Sequence, residues 1–343
     1  MPTRLRRWLP LLLLGRAAVA AVALLAVPTS QAQEAYKLAT ATTGGTYYPV
    51  GVAIATLIKV KLEAEHGISM AAESSAGSAE NIRLLREDQA QFAILQGLYG
   101  ALAWAGEGLV AAQGPQRQLR SVTMLWQNVE HFTVRSAYAD SGTIDDLKHL
   151  AGKKFSIGAR NSGTEGSSRQ ILTGLGIDPD ATFDLVYHGY GRSAELLQEG
   201  DIEGMNTPAG VPVMAVTQAF AAAGDQLQIL AFTEEQTRRV NSQYDLWTAY
   251  QIPAATYPGQ TQAVDTIAQP NFLAVNQQVP EETVYLITRT IYNNLGFLNN
   301  IHRATTVMDV RKAIAGLPTP LHPGAARYYR EAGLEIPARL LAE

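Results

Sequence analysis

The chain has 343 residues, of which 47% are hydrophobic and 17% charged, a globular composition whose length points to two domains at ~150 residues each. Its 27 Lys and Arg against 31 Asp and Glu give a formal net charge of −4, which argues against a nucleic-acid binder held by counterion release. The absence of cysteine excludes disulfide frameworks, thiolate metal sites, cysteine nucleophiles and a lipoprotein anchor.

Residues 1–32 are read as a targeting segment. Arg4, Arg6 and Arg7 precede an apolar run over residues 9–27, broken by Arg16, and Ser30, Gln31 and Ala32 supply the small residues of a cleavage site. Export to the periplasm by a cleavable signal peptide is expected, with a mature start at or near Gln33; an uncleaved membrane anchor is the alternative. Removal of those arginines makes the mature chain more acidic. Any anion it binds must therefore be held by local groups rather than by the overall field.

Beyond residue 33 short apolar runs alternate with amphipathic ones. In chain order the periodicity predicts a strand at 36–41, a helix at 50–62, strands at 68–73 and 91–95, a helix at 98–112, and strands at 119–125, 154–158 and 183–187. A helix at 192–198, a strand at 203–206, a helix at 211–223 and a strand at 227–231 follow. Pro280 opens a later helix on which Val284, Ile287, Ile291 and Leu295 share one face. This alternation implies an α/β fold of mostly parallel sheets wrapped by helices.

The informative positions are the turns after the strands. Thr42-Thr43-Gly44-Gly45-Thr46-Tyr47-Tyr48-Pro49 follows the first, Ser74-Ser75-Ala76-Gly77-Ser78-Ala79-Glu80-Asn81 the second, and Ala159-Arg160-Asn161-Ser162-Gly163-Thr164-Glu165-Gly166 the strand at 154–158. In parallel sheets such turns lie at the carboxyl ends of the strands, where ligands bind. Glycine admits close backbone approach, while Ser, Thr and helix-start N–H groups donate to an anion. Gln96 and the pair Thr207-Pro208 follow two further strands. Each loop has an ordinary reading as well, since Ser162 with Glu165 fits a capping box and Thr164 could act as a helix cap.

Catalytic constellations are thin. His66, His131, His149, His188, His302 and His322 show no metal-ligand spacing, so neither a metal nor a cofactor is expected. No Gly-x-Ser-x-Gly elbow, His-Glu-x-x-His, phosphate-binding loop or dinucleotide fingerprint occurs. An enzyme is not expected, although a spatial triad around Ser78 or Ser162 stays open as an alternative.

Leu38 to Gly51, Gly77-Ser78-Ala79-Glu80-Asn81, Gln96, Ser162-Gly163-Thr164 and the segment from Leu321 to Gly333 resemble the signatures of the TAXI proteins, solute-binding subunits of tripartite ATP-independent periplasmic (TRAP) transporters. The resemblance runs in order along nearly the whole chain after residue 33. It implies a two-domain type II periplasmic-binding fold that closes on a glutamate-like amino acid or dicarboxylate and passes it, as a monomer, to a TRAP membrane permease; presentation to a sensor kinase is the alternative. The family pattern departs at Gln96-Gly97-Leu98, where Gln-x-Asp is usual, at Arg160-Asn161 and at Glu203-Gly204.

The expected domains are 33–129 with 256–343, and 130–255. Gly45, Thr46, Tyr47, Ser78, Asn81 and Gln96 are expected to face the cleft from the first, and Ser162, Gly163, Thr164, Thr207 and Pro208 from the second. Arg160 has two readings, a guanidinium at the cleft rim or an exposed surface charge.

Overall fold

The computed structural model describes residues 34–341; the targeting segment and cleavage site expected at the N-terminus lie outside the described residues. Three strand-turn-helix units come first: β1 (Glu34–Ala39) and α1 (Tyr47–His66), β2 (Ile68–Glu73) and α2 (Ser78–Arg86), β3 (Phe92–Gln96) and α3 (Gly97–Ala105). Val50, Ile54, Leu57, Ile58 and Leu62 bury one stripe of α1. Gly67 ends that helix in the left-handed region at φ 68°. Gly106, at φ 73°, likewise stops α3, so the helix expected over 98–112 is shortened and Gly108–Gln113 forms a separate 3-10 turn.

β4 (Leu119–Val129) belongs to the first sheet, and after Glu130 and His131 the chain continues as β5 (Phe132–Arg135) in a second. That sheet grows through β6 (Lys154–Ser156), α4 (Gly163–Gly174), α5 (Pro179–Thr182), β7 (Asp184–Val186), α6 (Tyr190–Glu199), β8 (Gly204–Asn206), α7 (Met214–Ala223) and β9 (Leu227–Ile229). After α8 (Glu234–Val240), β10 (Thr248–Ile252) and β11 (Val264–Asn276) return to the first sheet, followed by α9 (Glu281–Asn293), α10 (Leu295–Ile301) and α11 (Pro323–Glu331).

The two sheets share a plan. β2-β1-β3 and β7-β6-β8 are parallel triplets. Each is extended by an antiparallel strand, β11 or β5, that carries a further antiparallel partner, β4 or β9. The architecture is thus mixed α/β in two sheets, and strict strand-helix alternation does not hold. It fails at β5, β10 and β11, which periodicity did not mark. Ile267 to Asn276 of β11 is buried almost throughout, so no polar alternation remains to read, and Pro270 sits at a register shift against β4.

Helices cover both sheets, and large apolar side chains fill the space between. Phe92, Phe132, Phe155 and Phe272 are fully buried, with Phe155 stacked between Phe132 and Phe183. The joint between β4 and β5 is tied to β11: the Glu130 N–H donates to the Ile267 carbonyl at 3.0 Å, and the Thr266 hydroxyl donates to the Glu130 carbonyl at 3.0 Å.

Candidate functional site

Both parallel triplets direct their carboxyl ends to one cavity. It is lined by the starts of α1 (Thr46, Tyr47), α2 (Gly77, Ser78), α3 (Gln96), α4 (Ser162, Gly163, Thr164) and α6 (Gly189, Tyr190), with Asn128 from β4 and Pro208 after β8. None of the lining residues is Asp, Glu, Lys, Arg or His. The first N–H groups of a helix lack partners within it, and its dipole is positive at that end. Several such ends around one cavity create an anion-attracting potential without a formal cation. The enclosed volume is about 30 Å3, where one water requires ~10–15 Å3.

Close approach explains two of the glycines. Gly77 has φ 126°, and a Cβ there would stand 3.3 Å from the Gly163 nitrogen, so the beginnings of α2 and α4 abut directly. A Cβ on Gly163 would fall 2.6 Å from Gln96 Oε1 and 2.9 Å from Ser78 Oγ. Further contacts join the walls: the Glu80 N–H donates to the Asn161 carbonyl at 3.1 Å and the Tyr99 hydroxyl to the Ser162 carbonyl at 3.3 Å.

The polar side chains divide by how far their bonding capacity is engaged. Thr46 Oγ1 accepts the Gly210 N–H and donates to the Gly210 carbonyl, both at 3.1 Å, leaving its proton engaged within the protein. Ser162 Oγ accepts the Glu165 N–H at 3.0 Å and so caps α4; the Glu165 carboxylate instead accepts the Asn161 N–H at 2.9 Å, so half of the expected capping box is made. Tyr190 donates to the Pro208 carbonyl at 2.7 Å. Its oxygen lies 2.7 Å from Thr164 Oγ1. With one proton per hydroxyl, Thr164 must be the donor of that pair and has no second proton to offer. Ser78 Oγ accepts the Gln96 N–H at 3.1 Å, and its hydroxyl faces the Tyr47 phenol. Tyr47 donates to Asn271 Oδ1.

Gln96 and Asn128 differ from these. They are 3% and 1% exposed, and Gln96 Oε1 and both amide atoms of Asn128 have no hydrogen-bond partner among the described residues. A buried polar group left so costs ~1–3 kcal/mol, which makes both strong ligand-reading groups. The unpartnered atoms therefore include a donor (Asn128 Nδ2) and acceptors (Gln96 Oε1, Asn128 Oδ1), and are not the donor set the loops alone suggested.

Of the residues expected at the cleft, Gly45, Thr46, Tyr47, Ser78, Gln96, Ser162, Gly163, Thr164 and Pro208 line the cavity. Asn81 does not: its Nδ2 donates to the Thr40 and Ile94 carbonyls at 2.7 and 3.0 Å and its Oδ1 accepts from Ser75, which clamps the β1 and β3 ends to α2. Thr207 is fully buried and outside the lining. Arg160 also lies outside it, with its guanidinium 3.7 Å above the Tyr187 ring. Sequence reasoning missed Asn128 and Tyr190. The first lies past the end of the apolar run over 119–125 and carried no signal of its own. The second starts a helix after a strand, as Tyr47 does.

Beneath the second-sheet side of the cavity lies Glu130, fully buried, accepting from Asn206 Nδ2 at 2.8 Å and Trp247 Nε1 at 3.4 Å. Burial pushes its carboxyl up to about 7 against these bonds. Burial likewise pushes the neighbouring His131 down to about 4; its ring bonds the Val129 carbonyl and the Tyr257 hydroxyl at 2.8 and 2.7 Å. The hydroxyls of Tyr47 and Tyr190 are held well above their ordinary value, again chiefly by burial. Among the described residues no group of three or more His, Asp or Glu could hold a metal ion.

The NMT1-like family profile matches residues 38–333, so the chain belongs to that family. A solved protein from Bordetella bronchiseptica RB50 is 12% identical, covering 87% of this chain and 82% of its own, with a TM-score of 0.50; at that identity the likeness is one of fold. An R. palustris protein with adipate is 17% identical over 79% of this chain and 84% of its own, TM-score 0.49. The alkanesulfonate-binding protein SsuA from Xanthomonas axonopodis pv. citri, bound to MOPS, is 12% identical over 87% and 84%, TM-score 0.44.

Proposed function

We propose that this member of the NMT1-like family is an extracytoplasmic solute-binding protein that closes two lobes around a small carboxylate and delivers it to a TRAP membrane permease. One observation carries the reading: helix starts from both sheets converge on one uncharged cavity, the arrangement that holds a carboxylate through backbone N–H groups. The resemblance of the loop motifs to TAXI proteins supports the delivery step and the leader-directed export. Within the expected class, the free acceptors of Gln96 and Asn128 suit the ammonium of a glutamate-like amino acid, while the free Asn128 Nδ2 suits a second carboxylate. The lobes are drawn as 33–129 with 256–343 and 130–255, except that β10 pairs with the first sheet and goes with the first lobe.

A solute touching both walls favours the closed form by its differential contacts with the two states. A thermal-shift and calorimetric screen of the protein without residues 1–32 against amino acids, monocarboxylates and dicarboxylates tests the reading. Stabilisation by acidic amino acids is expected. Stabilisation by neutral sugars or cations alone refutes it. Mass spectrometry of exported protein should find the N-terminus at or near Gln33, and an intact Met1 would remove the export step.

A further inference from the structure

A second pocket lies next along the same two segments that line the central cavity. Asn128 and Pro208 to Ala209 belong to the central one; Trp126 and Gln127, with Gly210 to Pro212, line its neighbour. The pair of hydrogen bonds between Thr46 and Gly210 lies at their boundary. The neighbour encloses about 240 Å3 against the central 30 Å3, so it has room for an organic molecule without further opening. Its remaining wall comes from Tyr250, the 253–256 segment, Arg303, Ala304, Thr306 and Val307.

We propose that this pocket is a ligand site for an organic anion with an apolar body, its carboxylate held by Arg303. Three observations converge on that chemistry. Arg303 is exposed, is the one Asp, Glu, Lys, Arg or His residue in the lining, and its guanidinium has no hydrogen-bond or ion-pair partner among the described residues; only its carbonyl is engaged, by Thr306. Trp126 is 1% exposed and its indole N–H has no acceptor, while Gln127 Oε1 has no donor. Most of the rest of the wall is apolar, with Val211, Pro212, Pro253 and Val307 able to cover a short hydrocarbon.

Two backbone features fit a site rather than a packing gap. A Cβ on Gly210 would stand 2.9 Å from Trp126 Nε1 and 2.4 Å from the Ala304 Cβ, so glycine is what lets this segment close over the indole. Ala255 in the wall holds φ 59°, a left-handed conformation costly for a residue with a Cβ and concentrated at ligand clamps. Because the walls come from elements of both sheets, an occupant favours the closed arrangement just as the central solute does. The two ligands should therefore reinforce one another.

The test uses the full chain, hexanoate as the probe and hexanamide as its neutral control, read by calorimetry and by the indole N–H resonance of Trp126, assigned through Trp126→Phe. Hexanoate is expected to bind and to move that resonance. Arg303→Gln, at an exposed position, should leave the melting temperature unchanged and weaken hexanoate by about ten- to a hundredfold, the worth of a charged hydrogen bond. Gln96→Ala separates the two sources of such a carboxylate. Unchanged hexanoate affinity there marks an independent ligand, and parallel weakening marks the far end of one solute spanning both cavities; either result, joined to Arg303 dependence, supports the site. A silent Trp126 resonance, equal binding of hexanamide, or an Arg303→Gln variant that binds normally overturns it. Failure of the central reading would show instead in the amino-acid screen, which does not involve Arg303.

Discussion

The two walls of the central cavity follow one plan but present different chemistry. From the first sheet come side chains with unengaged atoms, Gln96 Oε1 and the whole Asn128 amide. From the second come hydroxyls already bonded within the wall: Ser162 caps α4, and Thr164, Tyr190 and Pro208 form a chain. What the second wall offers is chiefly the N–H groups at the start of α4. The difference suggests a division of labour in which the first wall reads the solute and the second closes on it with backbone.

The largest effect is expected under the second wall, at Glu130. Its carboxyl is held neutral up to about 7 by burial, whereas the unfolded chain ionises it near 4.3. Between those values unfolding releases a proton, so this group's contribution to stability falls as pH rises and is flat above 7. Glu130→Gln removes that fall, and the variant should gain about 3 kcal/mol over wild type between pH 4.5 and 7. His131, held down to about 4, acts in the opposite sense, contributing stability that is lost as pH drops from 6.5 towards 4. Denaturant melts across this range check both signs. A variant-minus-wild-type difference that stays constant with pH would mean Glu130 is ionised in the fold.

Next comes the contact between the walls. Gly163→Val places a branched side chain where even a Cβ lies 2.6 Å from Gln96 Oε1. Since φ at this position is not in the left-handed region, the fold should tolerate the change while closure does not. Solute affinity should fall by about a hundredfold with little change in the solute-free melting temperature. A large loss of stability without solute would show that the walls are permanently packed rather than closed by ligand.

On the first wall, Asn128→Ala should weaken the solute by about tenfold, the worth of one good buried hydrogen bond. Calorimetry against the best amino acid decides it. Because this change also removes an unpartnered buried amide, the solute-free protein should be no less stable, and a strongly destabilised variant would assign Asn128 to the core instead.

Much of this site was legible before the fold was known. The Gly, Ser and Thr turns after the strands near 36, 68 and 154 announced themselves, because a turn that must approach a ligand closely needs residues visible in any sequence. Asn128 was not legible. Its strand outruns its apolar signal by several residues, and the face it presents depends on pairing with β11, a strand buried on both faces and so without alternation. Asn81 misled for the converse reason: at the start of a helix beside a cleft, an amide serves equally well to clamp the Thr40 and Ile94 carbonyls, and only geometry distinguishes the two uses.

The smallest effect, and the sharpest test of the contrast between the walls, concerns Thr164. From the loop motif alone its hydroxyl should donate to a carboxylate, and its loss should weaken binding tenfold or more; as a helix cap its loss would only destabilise. The geometry supports neither. Ser162 is the cap, and the Thr164 proton points to Tyr190, whose own proton is held by the Pro208 carbonyl. Thr164→Val keeps the shape and removes the first donor of that chain. Tyr190 keeps its bond to Pro208, so the wall should lose only about 1 kcal/mol of stability, and solute affinity should change by less than about threefold. Tyr190→Phe, which breaks the chain at its centre, should cost more stability than Thr164→Val, again with little change in affinity. If Thr164→Val weakens the solute tenfold while its melting temperature holds, the hydroxyl must turn from Tyr190 to the ligand on binding, and the second wall reads the solute with its side chains as the first does.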